Sequence, residues 1–120
     1  MWRATESPVD HRLTQLVQSG ADLATTEPIE MELLAGARNP IDELRIESAL
    51  AACGLIPVAG AEDWRRAADV FRSCRRMGIT PRRLLDCLIA AVAIRAGVPI
   101  LARDRDFELI ARHSPLELVA

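Results

Sequence analysis

Apolar side chains along this chain follow helical spacing in some segments and form short continuous runs in others, with glycine or proline between them. Apolar residues at intervals of three and four predict helices at residues 7–20, 29–35, 41–53, 62–77, 81–96 and 106–112. Short apolar runs predict strands at residues 21–25, 55–58, 99–102 and 116–119. Because helices and short strands alternate, the sequence predicts an α/β fold with a mainly parallel, short-stranded sheet covered by helices.

Two of the predicted helices have distinctive faces. The segment 62–77 is amphipathic, and its buried face is predicted to carry Trp64, Ala67, Ala68, Phe71, Cys74 and Met77. Its opposite face is rich in arginine, with Arg65, Arg66, Arg72, Arg75 and Arg76. In the segment 84–96, by contrast, only Asp86 and Arg95 are charged. A helix that is apolar on nearly all sides is expected at the centre of the fold.

The composition fits one globular domain. The chain has 120 residues, of which 50% are hydrophobic and 27% charged, and its net charge of −2 excludes a protein-wide basic field. Charges interrupt every apolar run, and the first residues lack the apolar core of a signal peptide, so we expect a cytoplasmic protein without a membrane segment. Three cysteines, Cys53, Cys74 and Cys87, form no C-x-x-C pair and are predicted to be reduced and buried.

Asp86 is an unusual residue for the apolar segment in which it lies. A carboxylate buried in such a helix has to protonate, form an ion pair or bind a cation. Two structural interpretations stay open. Asp86 is placed to interact favourably with the dipole of the helix as an acid of its first turn, and it has the spacing to pair with Arg82 or Arg83.

Three other acids lie close to predicted strands or between apolar residues. Asp104 follows the predicted strand 99–102, at the strand end where open α/β sheets bind ligands, and Asp106 comes two residues later. The alternative for both is a capping role at the next helix. Glu32 is flanked by Met31 and Leu33, which favours an inward position, although a surface glutamate is equally compatible with the pattern.

Together, Glu32, Asp86 and Asp104 indicate a metal centre. Carboxylates that converge repel one another unless a cation binds, and a set of oxygen ligands favours Mg²⁺ or Mn²⁺ over zinc. Such a centre can activate water and neutralise a phosphodiester during hydrolysis. Other chemistries are disfavoured, because His11 and His113 lie in no motif with a serine or cysteine, and no glycine-rich phosphate loop occurs.

Three segments resemble motifs of the PIN-domain ribonucleases of the VapC toxin type. Residues 27–36 resemble the first internal motif of that family, residues 85–93 its central aspartate helix, and residues 100–111 its motif of a strand followed by an acid. Residues 116–118 resemble the last strand. The resemblance extends over nearly the whole chain, and the order and spacing of the three motifs make it fairly specific.

The resemblance implies that Glu32, Asp86 and Asp104 form the catalytic cluster that binds Mg²⁺ or Mn²⁺, with Asp106 as an auxiliary ligand. It further implies an endoribonuclease toxin that hydrolyses structured RNA such as tRNA or ribosomal RNA, a cognate VapB antitoxin and a homodimer. The arginine-rich face of the segment 62–77 is then either a solvated helix face or a contact surface for RNA or a protein partner.

One family feature has no counterpart in the sequence. Members open with an apolar strand that ends in Asp-Thr-Ser or a close variant, whereas Asp10 lies inside the predicted helix 7–20. We therefore expect residues 1–120 to be one PIN-like domain that is short at its N-terminus and lacks its first strand. Two alternatives remain, namely an inactive PIN remnant that only binds an antitoxin or a partner toxin, and a helical interaction domain whose acids are structural.

Overall fold

The structure is a computed structural model that describes residues 23–101 and 105–119. Five helices occur in this part of the chain: α1 (Glu27–Ala35), α2 (Pro40–Ala51), α3 (Gly60–Arg76), α4 (Leu84–Ala96) and α5 (Arg105–Arg112). The four strands are β1 (Ala24–Thr25), β2 (Gly54–Leu55), β3 (Ile100–Leu101) and β4 (Leu118–Val119). The predicted helix 7–20 lies outside the described residues.

The strands form two parallel pairs. In one pair, β1 lies beside β2, with Ala24 opposite Gly54, and in the other β3 lies beside β4, with Ile100 opposite Leu118. The backbone N–H of Ile56 extends the first pair by donating to Thr25 O at 2.7 Å. The prediction of a parallel, short-stranded sheet connected by helices is confirmed. The second strand is shorter than the predicted 55–58 and ends before Pro57, which has no N–H to donate.

Helix α4 forms the centre of the fold, as its apolar sequence predicts. Residues 86–93 are all buried, and the helix contacts α1, α3 and α5. It packs in a core whose largest fully buried apolar side chains include Ile29, Ile89, Ile100 and Phe107. Any change in the position of α4 therefore affects three helices at once.

The ends of the helices follow from local chemistry. Asn39 caps α2 by accepting a hydrogen bond from the backbone N–H of Asp42 at 2.9 Å. Helix α4 ends at Gly97, which adopts the left-handed conformation with φ +68°. The prediction that this helix begins at residue 81 is wrong, because Arg83 has an extended backbone (φ −134°, ψ 121°) and the first helical residue is Leu84.

Helix α3 is rotated relative to its predicted orientation. The residues on its buried side are Asp63, Ala67, Val70 and Cys74, whereas Trp64, Ala68 and Met77 are exposed. The physical reason is that the buried Asp63 carboxylate has two hydrogen-bond donors, namely Arg95 of α4 and the backbone N–H of Ala59. Burial of this paired acid turns Trp64 towards the surface.

The cysteine prediction is also partly wrong. Cys74 and Cys87 are buried, but Cys53 is half-buried at the end of α2 and donates its S–H to Ala49 O at 3.3 Å. Within residues 23–101 and 105–119, no helix combines the length and apolar character needed to cross a membrane.

Candidate active site

Three helices bring acidic residues to the N-terminal end of α4. Asp86 lies in the first turn of α4 and is fully buried. Asp106 lies in the first turn of α5, and Glu32 lies near the middle of α1. Because α4 contacts both α1 and α5, the acids on these two helices can reach the helix that carries Asp86.

Two consecutive arginines connect these acids to the start of α4. Arg83 forms an ion pair with Glu32, and Arg82 Nε donates to both carboxylate oxygens of Asp106 at 3.1 and 3.3 Å. The side chains of Glu32 and Asp106 are only 17% and 6% exposed. Since Arg82 and Arg83 immediately precede α4, the two ion pairs place Glu32 and Asp106 at the same helix end as Asp86.

Cys87 follows Asp86 in the first part of α4 and is fully buried. Burial, followed by the proximity of Cys74, Asp86 and Asp106, raises the pKa of the Cys87 thiol to about 12. The raised pKa makes Cys87 a poor candidate for a nucleophile.

The remaining predicted ligand, Asp104, falls outside the described residues. Among residues 23–101 and 105–119, no group of three or more histidine, cysteine, aspartate or glutamate side chains is arranged to hold a metal ion. The ion pairs of Arg82 and Arg83 hold Asp106 and Glu32 near the start of α4, the helix that carries Asp86.

The chemistry of these side chains fits a hard divalent cation. The acids offer only carboxylate oxygens, which suit Mg²⁺ and Mn²⁺. Asp86 and Asp106 are both buried at the N-terminal turns of helices, where the helix dipole favours negative charge. Glu32, Asp86 and Asp106 are therefore suitable ligands, together with the predicted Asp104.

A polar cleft opens next to Asp106. It has a volume of about 490 Å³ and is lined by Gly78, Ile79, Thr80, Arg82, Arg105, Asp106 and Leu109. Two arginine side chains therefore face the same cleft as one of the candidate metal ligands. Such an arrangement suits a polyanion, because the planar guanidinium group binds phosphate well.

An apolar cleft is lined by residues of α1, α3 and α4. Two adjoining cavities of about 340 and 480 Å³ share Trp64, Leu85 and Leu88, and Met31 and Leu84 also line them. Trp64 is 60% exposed, and Met31 and Leu84 are also exposed. Exposed apolar surface of this kind marks a protein-interaction site.

Sequence reasoning missed two features of this region. It considered Arg82 and Arg83 only as partners of Asp86, whereas the structure pairs them with Asp106 and Glu32. Their position directly before an acidic helix start was a usable signal, but the identity of their partners depends on how α1 and α5 pack. The exposure of Trp64 was missed because the orientation of α3 was wrong.

The fold and the acids at the start of α4 define the class of this protein. A family profile for the PIN domain matches residues 3–113, which include all five described helices. Ribonuclease VapC11 of Mycobacterium tuberculosis strain H37Rv is 40% identical over 117 residues, which cover 97% of this chain and 87% of that protein. The chain therefore belongs to the VapC ribonuclease family of PIN-domain proteins.

Solved structures show the same fold. The crystal structure of VapBC-5, a member of the VapBC family of toxin–antitoxin systems from Mycobacterium tuberculosis, matches with a TM-score of 0.63 and 24% identity, covering 80% of this chain and 79% of that chain. The crystal structure of VapBC2 from Rickettsia felis, bound to a DNA fragment from their promoter, matches with a TM-score of 0.64 and 18% identity over 91% and 81% of the two chains.

Proposed function

We propose that this chain is a divalent-cation-dependent endoribonuclease that acts in the cytoplasm as the toxin of a VapB–VapC-type pair. The observation that supports the proposal is that Arg82 and Arg83, directly before α4, pair with Asp106 and Glu32 at the end of the helix that carries Asp86. The 40% identity to Ribonuclease VapC11 over most of the chain supports RNA as the substrate.

In this proposal, Glu32, Asp86 and Asp104 hold Mg²⁺ or Mn²⁺, and Asp106 is an auxiliary ligand. The bound cation supplies an activated water and neutralises charge on the phosphodiester. The chain supplies rigid placement, since Asp86 is buried in a helix that contacts three others. Arg82 and Arg105 line the cleft beside Asp106, where they can bind phosphates of the RNA strand.

The apolar cleft around Trp64 is the proposed docking site for a cognate VapB-type antitoxin. The two similar crystal structures are of VapBC systems, which supports such a partner. Met31 and Leu85 line this cleft, so a segment seated in it would contact both α1 and α4, the helices that carry Glu32 and Asp86. We also propose that the toxin is a homodimer.

The test is cleavage of RNA by the purified chain with Mg²⁺ or Mn²⁺. We expect cleavage that a chelator abolishes and that Asp86→Asn reduces about 100-fold or more, since the substitution removes a charged ligand. The matched control is Asp69→Asn, because Asp69 pairs with Arg72 on the exposed side of α3. Cleavage that persists in the chelator or in Asp86→Asn would refute the proposal. An inactive wild type that still binds an antitoxin would favour the inactive-remnant alternative.

A further inference from the structure

We propose that Arg82 and Arg83 are internal counterions of the active site. Their guanidinium groups pair with Asp106 and Glu32, so they compete with a divalent cation for these carboxylates. The two arginines thereby lower the affinity of the site for that cation. This inference rests on the proposed function, because it assigns the arginines a role at the same acids.

The first step of the argument is the position of the positive charges. Arg82 Nε lies 3.1 and 3.3 Å from the two oxygens of Asp106, so it engages the whole carboxylate. Arg83 pairs with Oε2 of Glu32. A guanidinium group keeps its charge at all physiological pH values, so deprotonation cannot free these acids. A cation that needs the same oxygens has to compete with a hydrogen-bonded positive charge.

The second step concerns which partner moves. Asp106 and Glu32 are held on helices and are mostly buried, whereas the side chains of Arg82 and Arg83 are 74% and 45% exposed. Arg82 also lines the open cleft of about 490 Å³, which gives its guanidinium group room away from Asp106. Ion pairs with one partner this exposed are individually weak, so release of the arginines is easily reversible.

The third step concerns the repulsion between the acids. Acids that lie near one another repel, and a positive charge has to offset this repulsion. Arg82 and Arg83 offset it at Asp106 and Glu32 by pairing with each acid separately. A divalent cation that binds these carboxylates takes over this role from the arginines.

A purely structural role for the arginines predicts a different behaviour. In that case the ion pairs only fasten α1 and α5 to the start of α4, and their loss lowers the thermal stability without increasing affinity for a cation. Measuring cation affinity directly, in the absence of RNA, separates the two roles.

The experiment is a calorimetric titration of the full chain with Mn²⁺. We expect the double variant Arg82→Gln/Arg83→Gln to bind Mn²⁺ about threefold to tenfold more tightly than the wild type, as loss of two partly exposed ion pairs predicts. The control is Arg72→Gln, which removes the same type of charge from an ion pair with Asp69 on the exposed face of α3. This control should stay within about twofold of the wild type.

Circular dichroism verifies that each variant is folded. If the double variant does not fold, the single variant Arg83→Gln replaces it, and we expect this variant to bind Mn²⁺ about twofold to threefold more tightly than the wild type. Affinity that is unchanged or weaker in the variants overturns the inference, and so does the absence of Mn²⁺ binding in every variant. RNA cleavage by the wild type separates this failure from failure of the proposed function. If the wild type cleaves RNA but the variants bind Mn²⁺ with unchanged affinity, the proposed function is supported and the counterion role is refuted. If the variants bind Mn²⁺ more tightly but the wild type does not cleave RNA, the counterion role is supported and the proposed function is refuted.

Discussion

Asp63 is a buried acid whose role is to connect helices. It is fully buried, it accepts a hydrogen bond from the backbone N–H of Ala59 at 2.7 Å, and it pairs with Arg95 Nε at 3.0 and 3.1 Å. Arg95 also donates to Pro57 O at 2.7 Å. A single carboxylate therefore joins the start of α3, the end of α4 and the loop between β2 and α3.

We predict that Asp63→Asn lowers the free energy of unfolding by about 1–3 kcal/mol, because the substitution removes one member of a buried charge-assisted network. This loss of unfolding free energy lies at the lower end of values for buried ion pairs, because the Arg95 side chain is partly exposed and water can hydrate its guanidinium group. Urea unfolding measures the effect. The control Asp69→Asn breaks the exposed ion pair with Arg72 and should change the free energy of unfolding by less than about 0.5 kcal/mol. Equal effects of the two substitutions would contradict this account of Asp63.

At the scale of secondary-structure elements, the loop between β2 and α3 is held by carboxylates from two helices. Glu27 of α1 accepts a hydrogen bond from the backbone N–H of Val58 at 2.8 Å, which lowers the pKa of Glu27. Burial opposes ionisation of Asp63, but hydrogen bonds from Arg95 and Ala59 outweigh it and hold the pKa of Asp63 below its usual value. The loop thus depends on two ionised acids.

Both depressed pKa values predict a loss of stability in acid. A carboxylate that is more acidic in the folded state contributes stability above its unfolded pKa, near 4, and this contribution disappears as the pH falls through the folded pKa. We therefore expect the unfolding free energies of the wild type and of the double variant Glu27→Gln/Asp63→Asn to converge as the pH falls from 6 to 3. Urea unfolding at several pH values tests this. A difference that stays constant over this range would show that neither acid is linked to folding.

The same elements show how far the sequence could predict the fold. The central position of α4 was predictable, because a 13-residue helix with two charged residues has to be buried. The orientation of α3 was not, because burial of Asp63 depends on Arg95, which is 32 residues away in the chain. Likewise, Glu32, Asp86 and Asp106 could be chosen from local patterns, whereas their arginine partners depend on packing between helices. The roles of Asp104 and the absence of a first strand stay predictions.

At the scale of the whole molecule, the protein is weakly acidic but carries basic charge on one side of α3. Arg65, Arg72 and Arg76 lie along one stripe of this helix, and all three are exposed. Arg72 pairs with Asp69, which offsets its charge, so Arg65 and Arg76 carry the positive potential of the stripe. The stripe is the part of α3 that suits contact with a polyanion.

We predict that Arg65→Glu/Arg76→Glu weakens binding of single-stranded RNA and reduces the slope of log affinity against log salt by about 1 to 2, as loss of two phosphate contacts requires. Filter binding at several salt concentrations measures both quantities. The control is Arg45→Glu, an equal change of charge at an exposed position of α2. If the double variant and the wild type share the same affinity and salt slope, the stripe is only a solvated helix face.

The central claim is that the acids at the start of α4 bind the divalent cation on which RNA cleavage depends. The most direct measurement is anomalous diffraction from crystals of the wild type and of Asp86→Asn soaked in Mn²⁺. The account predicts an anomalous peak within coordinating distance of the Asp86 carboxylate in the wild type, and its loss in the variant. A wild-type crystal without a peak at Asp86 under saturating Mn²⁺, or with its ordered Mn²⁺ elsewhere, would contradict the account.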